Sequence, residues 1–189
     1  MDKQQLILQA ARTMFSQYGL KKTTTDDIAR DAHVSKATVY KYYRNKAEIF
    51  DDVVDMESRQ LLEMIRSAIE RETDVVGKFR AHLLTKMKRL NELIVVYRVT
   101  QKNWGEYWPH VEEARKRLIE NEKEIVREIL RYGVKSGELS VPNINLTAHI
   151  MVMSLKSIEF PWAIDGFNVS LSKYVDTMVN MMIDGLRKR

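Results

Sequence analysis

Cysteine is absent from this 189-residue chain, and glycine and proline are scarce, with seven and three residues. Without cysteine there are no disulfides, no thiolate metal sites and no cysteine nucleophile. No apolar run approaches the roughly 18 residues that span a bilayer, and the polar start, Met1 to Gln5, is not typical of a secretory signal peptide. We therefore expect a soluble, cytoplasmic protein, and the scarcity of turn formers favours long helices.

Positive charge is concentrated in the first quarter of the chain. Residues 1–50 contain nine Lys and Arg against five Asp and Glu, whereas residues 51–189 contain 22 against 21. A basic head on a nearly neutral body suits a polyanionic partner, although an ordinary solvated surface explains the charge equally well.

Apolar residues recur at helical spacing almost throughout, which predicts an all-α fold. The first helix carries one apolar stripe and is expected to end at Gly19. The stripe consists of Leu6, Ile7, Ala10, Ala11, Met14, Phe15 and Tyr18.

Three capping patterns follow within 25 residues. Thr24 with Asp27 predicts the start of a short second helix, Ser35 the start of a third over Lys36–Tyr43, and Asn45 with Glu48 the start of a long fourth. Downstream, we expect five more helices, which makes about nine in total. Their predicted bounds are about 74–90, 92–103, 109–135, 145–163 and 170–187.

Two short helices joined by a tight turn behind a longer helix are typical of a helix-turn-helix module. Such a module needs inward apolar residues that fix the crossing angle, here Ile28, Ala32, Val34, Val39 and Tyr43. It also needs an outer face that contacts phosphates and base edges. Lys36, Thr38, Tyr40, Lys41 and Tyr42 supply cationic, hydroxyl and aromatic groups for that face.

Two segments, Thr24–Ala29 and Ala32–Lys46, closely resemble the N-terminal signature of TetR-family (tetracycline-repressor-like) regulators. The resemblance implies a three-helix DNA-binding domain over residues 1–46, then a helical-bundle ligand-binding and dimerisation domain over residues 47–189. It implies a dimeric, ligand-responsive repressor that binds a palindromic operator in double-stranded DNA and is released by a small hydrophobic effector.

The resemblance also implies which residues contact DNA. Thr24 and Thr25 would contact phosphates, and the exposed face of the third helix would read the major groove. The end of that helix and the start of the fourth would contact the DNA backbone. The set is Thr24, Thr25, Ser35, Lys36, Ala37, Thr38, Tyr40, Lys41, Tyr42 and Lys46.

The chain departs from the family pattern at His33 and Ala37. The family usually has Gly at the turn position of His33, where a left-handed backbone is expected, and histidine tolerates that conformation better than most residues. It often has Gly or Pro at the position of Ala37, so base preferences do not transfer to this chain.

Aromatic and polar residues of the body form the candidate effector site, because ligand pockets are mainly apolar with a few polar anchors. The candidates are Tyr97, Asn103, Trp104, Tyr107, Trp108, Met151, Phe160 and Trp162. Packing of these aromatics between helices is the alternative.

In the resembling family the last two helices form the homodimer interface. Here they carry apolar residues at helical spacing, which suit either that interface or the core. These are Met151, Leu155, Ile158, Tyr174, Met178, Met181 and Met182.

Two other classes of function fit less well. The residues give neither a nucleophile with its base nor paired metal ligands, so we expect no enzyme, no metal and no cofactor. A sequence-blind DNA-packaging protein would bind through charge alone, which the aromatic outer face and the neutral body argue against.

Overall fold

The computed structural model describes residues 2–97, 99–100, 102–165 and 169–188, with the backbone alone at residue 104 and at 157–165. Eight α-helices account for most of these described residues. They are α1 (Lys3–Lys22), α2 (Thr25–Asp31), α3 (Lys36–Tyr42), α4 (Lys46–Glu70), α5 (Val75–Val96), α6 (Trp104–Ser136), α7 (Ile144–Asp165) and α8 (Leu171–Asp184). The all-α prediction is confirmed.

The predicted separate helix over 92–103 is wrong. Helix α5 continues through Asn91 to Val96, and none of the described residues from 97 to 103 is helical. Asparagine has only a modestly lower helix propensity than the best helix formers, so Asn91 does not end the helix. Helix α6 also begins before Pro109, which lies inside the helix rather than at its start.

The chain packs as two compact units. The first consists of Met1–Arg59 and Glu92–Lys116, and the second of Gln60–Asn91 and Arg117–Arg189. Helices α4, α5 and α6 each contribute residues to both units. The functional boundary at residue 46 stays a prediction. Within the described residues, no helix is long and apolar enough to cross a membrane.

Aromatic rings fill the core of the first unit around Phe50. The ring of Phe50 lies edge-on to Phe15 with centroids 5.0 Å apart, and it also meets Tyr97 and Tyr107. Helix α1 kinks at Gly19, whose φ of 79° belongs to the left-handed region that glycine favours. Directly after the kink, the Leu20 amide donates a 3.4 Å hydrogen bond to the Tyr107 hydroxyl, which fixes this part of the main chain.

Three polar side chains lie inside the core of the second unit. His82 and Glu122 are 1% exposed and Lys86 is 4% exposed. Lys86 Nζ lies 2.5 Å from one carboxylate oxygen of Glu122 and donates to the other at 2.7 Å. Burial opposes ionisation of Glu122, but the Lys86 ammonium and His82 outweigh it and hold the pKa of this carboxyl below its ordinary 4.5.

Candidate nucleic-acid interface

Helix α2 begins with the capping box that the sequence predicts. The Thr24 hydroxyl accepts a 3.2 Å hydrogen bond from the Asp27 amide, and the Asp27 carboxylate accepts one of 3.1 Å from the Thr24 amide. Hydrogen bonds from the Thr24 hydroxyl and amide lower the pKa of Asp27. Aspartate therefore completes the reciprocal cap in place of the usual glutamate.

The turn and the start of α3 also match the prediction. Ser35 is the N-cap residue, and its hydroxyl accepts a 3.1 Å hydrogen bond from the Thr38 amide. His33 has a φ of 53° and is the non-glycine residue with a positive φ among those described. A left-handed residue lets α2 and α3 meet in a tight turn, at some cost in backbone strain.

Buried side chains hold α3 against the rest of the first unit. Ile28, Ala32, Val39 and Tyr43 are all less than 9% exposed, and Val34 packs against the same core. The Tyr43 hydroxyl donates to Asp52 at 2.9 Å, and burial raises the pKa of Tyr43 to about 12. The inward stripe is thus confirmed.

The opposite face of α3 is open to solvent. Lys36, Ala37, Lys41 and Tyr42 are exposed, and the Tyr40 side chain is 47% exposed. Two ammonium groups, two phenols and a methyl group are therefore exposed on this two-turn helix, and those of Lys36, Ala37, Tyr40 and Lys41 share one face. Such a surface offers donors for phosphate and base edges together with apolar contact for thymine methyl groups.

Side chains from the first turn of α2 contact two residues of this face. Lys36 Nζ lies 2.7 Å and 3.0 Å from the two carboxylate oxygens of Asp26. The Tyr40 hydroxyl lies 3.2 Å from Thr25 Oγ1, and the Lys36 ammonium lies 6.0 Å from the centre of the Tyr40 ring. Sequence reasoning did not single out Asp26, because an acid in a first helical turn is already explained by the helix dipole.

Lys46 lies at the start of α4 with its ammonium group turned to the end of α1. Its Nζ atom donates to the carbonyl oxygens of Leu20, Lys21 and Thr23 at 2.7, 3.2 and 2.7 Å. Burial lowers the pKa of Lys46. In the free protein this lysine therefore binds main-chain carbonyls, and its contact with a DNA phosphate stays a prediction.

Two of the predicted effector residues come together in the core of the first unit. Tyr97 is 7% and Tyr107 is 4% exposed. The Tyr97 hydroxyl donates to Glu57 at 3.0 Å, and the Tyr107 hydroxyl donates to the Tyr97 carbonyl at 3.0 Å. These tyrosines pack between helices with their polar groups satisfied, which is the arrangement of the alternative interpretation.

The other described effector candidates belong to both units, with Asn103 and Trp108 in the first and Met151 in the second. Asn103 accepts a 2.6 Å hydrogen bond from the Thr100 amide in the turn before α6, and the Trp108 ring lies 5.7 Å from the Arg115 guanidinium. Met151 is buried in the second unit. Three predicted side chains lie outside the described part of the structure. They are Trp104, Phe160 and Trp162.

Helices α7 and α8 each leave an apolar stripe outside the core of the second unit. On α7, Leu146 and Ile150 are 54% and 53% exposed, and on α8 Met181 is 76% exposed. Met151 and Leu155, which the sequence suggested for an interface, are instead buried within the chain. The α8 residues predicted for the interface are half-buried or exposed. They are Tyr174, Met178, Met181 and Met182.

Comparison with known proteins agrees with this architecture. Residues 7–53 match the model of the bacterial regulatory proteins of the tetR family. The chain is 26% identical over 163 residues to the uncharacterized HTH-type transcriptional regulator YhgD of Bacillus subtilis, covering 85% of this chain and 84% of that protein.

Two solved structures share the fold over nearly the whole chain. A transcriptional regulator from Cytophaga hutchinsonii superposes with a TM-score of 0.80 at 22% identity, covering 97% of this chain and 98% of the other. The regulator FadR from Bacillus subtilis, solved in complex with stearoyl-CoA, gives 0.67 at 19% identity, covering 97% and 99%. With the capped helix pair and the open face of α3, these matches show that residues 7–53 form a helix-turn-helix module of the tetR family and that the chain has the fold of solved transcriptional regulators.

Proposed function

We propose that this protein is a cytoplasmic, ligand-responsive repressor that binds a palindromic operator as a homodimer and is released by a small hydrophobic effector. The observation that carries the proposal is the solvent-open face of α3, held in place by the buried stripe behind it. A helix presented in this way fits the major groove of B-form DNA.

The proposed DNA contacts lie at exposed or half-buried positions. Thr24 and Thr25 at the start of α2 contact phosphates, while Lys36, Thr38 and Tyr40 face base edges. The remaining predicted contacts lie around this surface and bind the sugar-phosphate backbone of the DNA. They are Ser35, Ala37, Lys41, Tyr42 and Lys46.

Dimerisation through α7 and α8 is supported by their exposed apolar stripes. Leu146 and Ile150 are exposed one turn apart on α7, and Met181 is 76% exposed on α8. Exposed apolar faces of this kind favour burial against a second copy, and a two-fold axis would present two copies of α3 to successive major grooves.

A hydrophobic effector with a hydrogen-bonding group suits the interior of the second unit. Among the described residues, the buried side chains of this unit are apolar except for His82, Lys86 and Glu122. His82 Nε2 lies 3.7 Å from Glu122 Oε1, and neither ring nitrogen of His82 makes a hydrogen bond to a described residue. An acyl thioester is the first class to test, because FadR of Bacillus subtilis was solved with stearoyl-CoA. Release requires only that the effector binds one of two conformations more tightly.

The DNA-reading proposal is tested by selecting duplexes from a random-sequence pool and footprinting the duplex that binds most tightly. We expect a protected palindrome; diffuse protection would indicate a packaging protein, and no protection would refute the proposal. Tyr40→Ala should lower affinity for the selected duplex about tenfold, with a smaller loss on random DNA. Tyr18→Ala, which removes another exposed tyrosine from α1, is the matched control.

The repressor and effector proposals need separate measurements. Transcription from a promoter that overlaps the selected site should fall when the protein is added, whereas an increase would identify an activator. Stearoyl-CoA, free fatty acids and aromatic compounds are then titrated into the complex, with free CoA as the control. If no apolar compound weakens DNA binding, the effector proposal is refuted while the DNA-reading proposal stands.

A further inference from the structure

An acidic side chain lies at the edge of the DNA-reading face. Asp26 is the second residue of α2, and Lys36 is the first residue of α3. Both carboxylate oxygens of Asp26 lie within 3.0 Å of the Lys36 ammonium, and both side chains remain about half exposed. The carboxylate therefore occupies the position that a DNA phosphate would otherwise take at this lysine.

The neighbouring contacts restrict where the Lys36 ammonium can lie. The ring of Tyr40 is 6.0 Å from Nζ, and the Tyr40 hydroxyl is in turn 3.2 Å from Thr25 Oγ1. The first turn of α2 thus contacts both a cation and an aromatic ring of α3. Side chains that are ordered before binding lose less conformational entropy when they meet their partner.

We propose that Asp26 is a specificity-determining residue of the DNA interface, acting through Lys36. On nonspecific DNA, Asp26 keeps the ammonium neutralised, so that Lys36 contributes little to phosphate binding. On the cognate site, Asp26 holds the ammonium beside Tyr40, where it can donate to base acceptors such as the N7 and O6 atoms of guanine. This inference rests on the DNA-reading role proposed above.

Nonspecific binding gives the direct test, because it is almost entirely electrostatic. Each phosphate that a protein cation neutralises adds about 0.9 to the slope of log K against log salt. Asp26→Asn releases Lys36, so the slope on a random-sequence duplex should steepen by about 0.9 for each bound protomer. Between 50 and 200 mM salt, the variant should therefore lose about 3.5-fold more affinity per protomer than the wild type.

Asp31→Asn is the matched control. Asp31 belongs to the same helix and is exposed, and its carboxylate has no hydrogen bond or ion pair with any described residue. Its replacement changes the net charge by the same amount but releases no cation. We expect it to raise affinity for random DNA without steepening the slope.

Two further measurements connect the charge effect to specificity. With a duplex selected by the wild-type protein, Asp26→Asn should lower the ratio of specific to nonspecific affinity by at least threefold, because the released Lys36 adds a phosphate contact only on nonspecific DNA. In a Lys36→Met background, Asp26→Asn should no longer steepen the slope.

The outcomes separate this inference from the function on which it rests. Equal slopes for Asp26→Asn and Asp31→Asn, an unchanged specificity ratio, or a slope effect that persists in the Lys36→Met background would each overturn the role of Asp26 alone. Failure of the wild-type chain to bind either duplex would instead refute the proposed DNA reading, and the role of Asp26 with it.

Discussion

Glu122→Gln should strongly destabilise the protein, because it removes the Glu122 carboxylate from the buried Lys86 ammonium. The side chains of Lys86 and Glu122 are 5% and 1% exposed and lie 2.5 Å apart at their closest atoms. Removing one partner of such a pair typically costs about 3–5 kcal/mol, whereas the whole unfolding free energy of a domain is about 5–15 kcal/mol. The loss is therefore a large fraction of the total stability.

Thermal and denaturant unfolding, followed by circular dichroism, measure this loss. For a chain of this size, 1 kcal/mol corresponds to about 2–4 °C in Tm, so we expect a decrease of roughly 6–20 °C. Glu128→Gln is the matched control, because its partner Arg66 lies 3.4 Å away on the surface and both side chains are about half exposed. That variant should lose less than about 1 kcal/mol.

Two further results check the physical reasoning. Lys86→Met combined with Glu122→Leu removes both charges and should recover most of the stability, because a well-packed apolar pair avoids the desolvation penalty. The low folded pKa of Glu122 stabilises the native state above pH 4.5, and this contribution is lost as the pH falls below 4.5 toward the folded pKa. If Glu122→Gln unfolds at the same denaturant concentration as Glu128→Gln, the buried charge pair does not have the assigned role.

Two other positions give independent predictions. Lys46→Met should lower the unfolding free energy by about 1–2 kcal/mol, since the three carbonyls at the end of α1 lose their donor; an unchanged denaturation midpoint would show that these contacts contribute nothing. His33→Gly should change the unfolding free energy by less than about 0.5 kcal/mol, because two effects oppose each other. Glycine removes the strain of the left-handed backbone, but it also gives the unfolded chain more conformational entropy. His33→Val should cost about 1–2 kcal/mol in the same assay, because a β-branched side chain fits this backbone poorly; equal losses in both variants would point to the histidine side chain instead.

The DNA-binding module could be predicted from sequence because its determinants are local. The cap formed by Thr24 and Asp27 and the cap at Ser35 both lie within four residues of the groups they satisfy. The left-handed turn at His33 was implied by the resemblance, because the TetR family usually has Gly at this position.

The buried charge pair could not be predicted, because it joins residues 36 positions apart on two helices. Lysine and glutamate are usually exposed, so their residue types did not indicate that they are buried here. The available signal was positional, since His82 and Lys86 occupy the same helical stripe as Phe79, Leu83 and Met87. The effector site stays a prediction, because aromatic composition does not distinguish a pocket from a core.

The discontinuity of the first compact unit limits how regulators of this kind can be recombined. A fragment that stops at residue 46 would lack Phe50, so the ring of Phe15 would lose its aromatic partner. The Leu20 amide would also lose its hydrogen bond to the Tyr107 hydroxyl. A chimaera that transplants only the N-terminal helices onto a foreign body would therefore expose aromatic surface and misfold or aggregate. To keep its native packing, the DNA-reading half must be transferred together with residues 47–59 and 92–116.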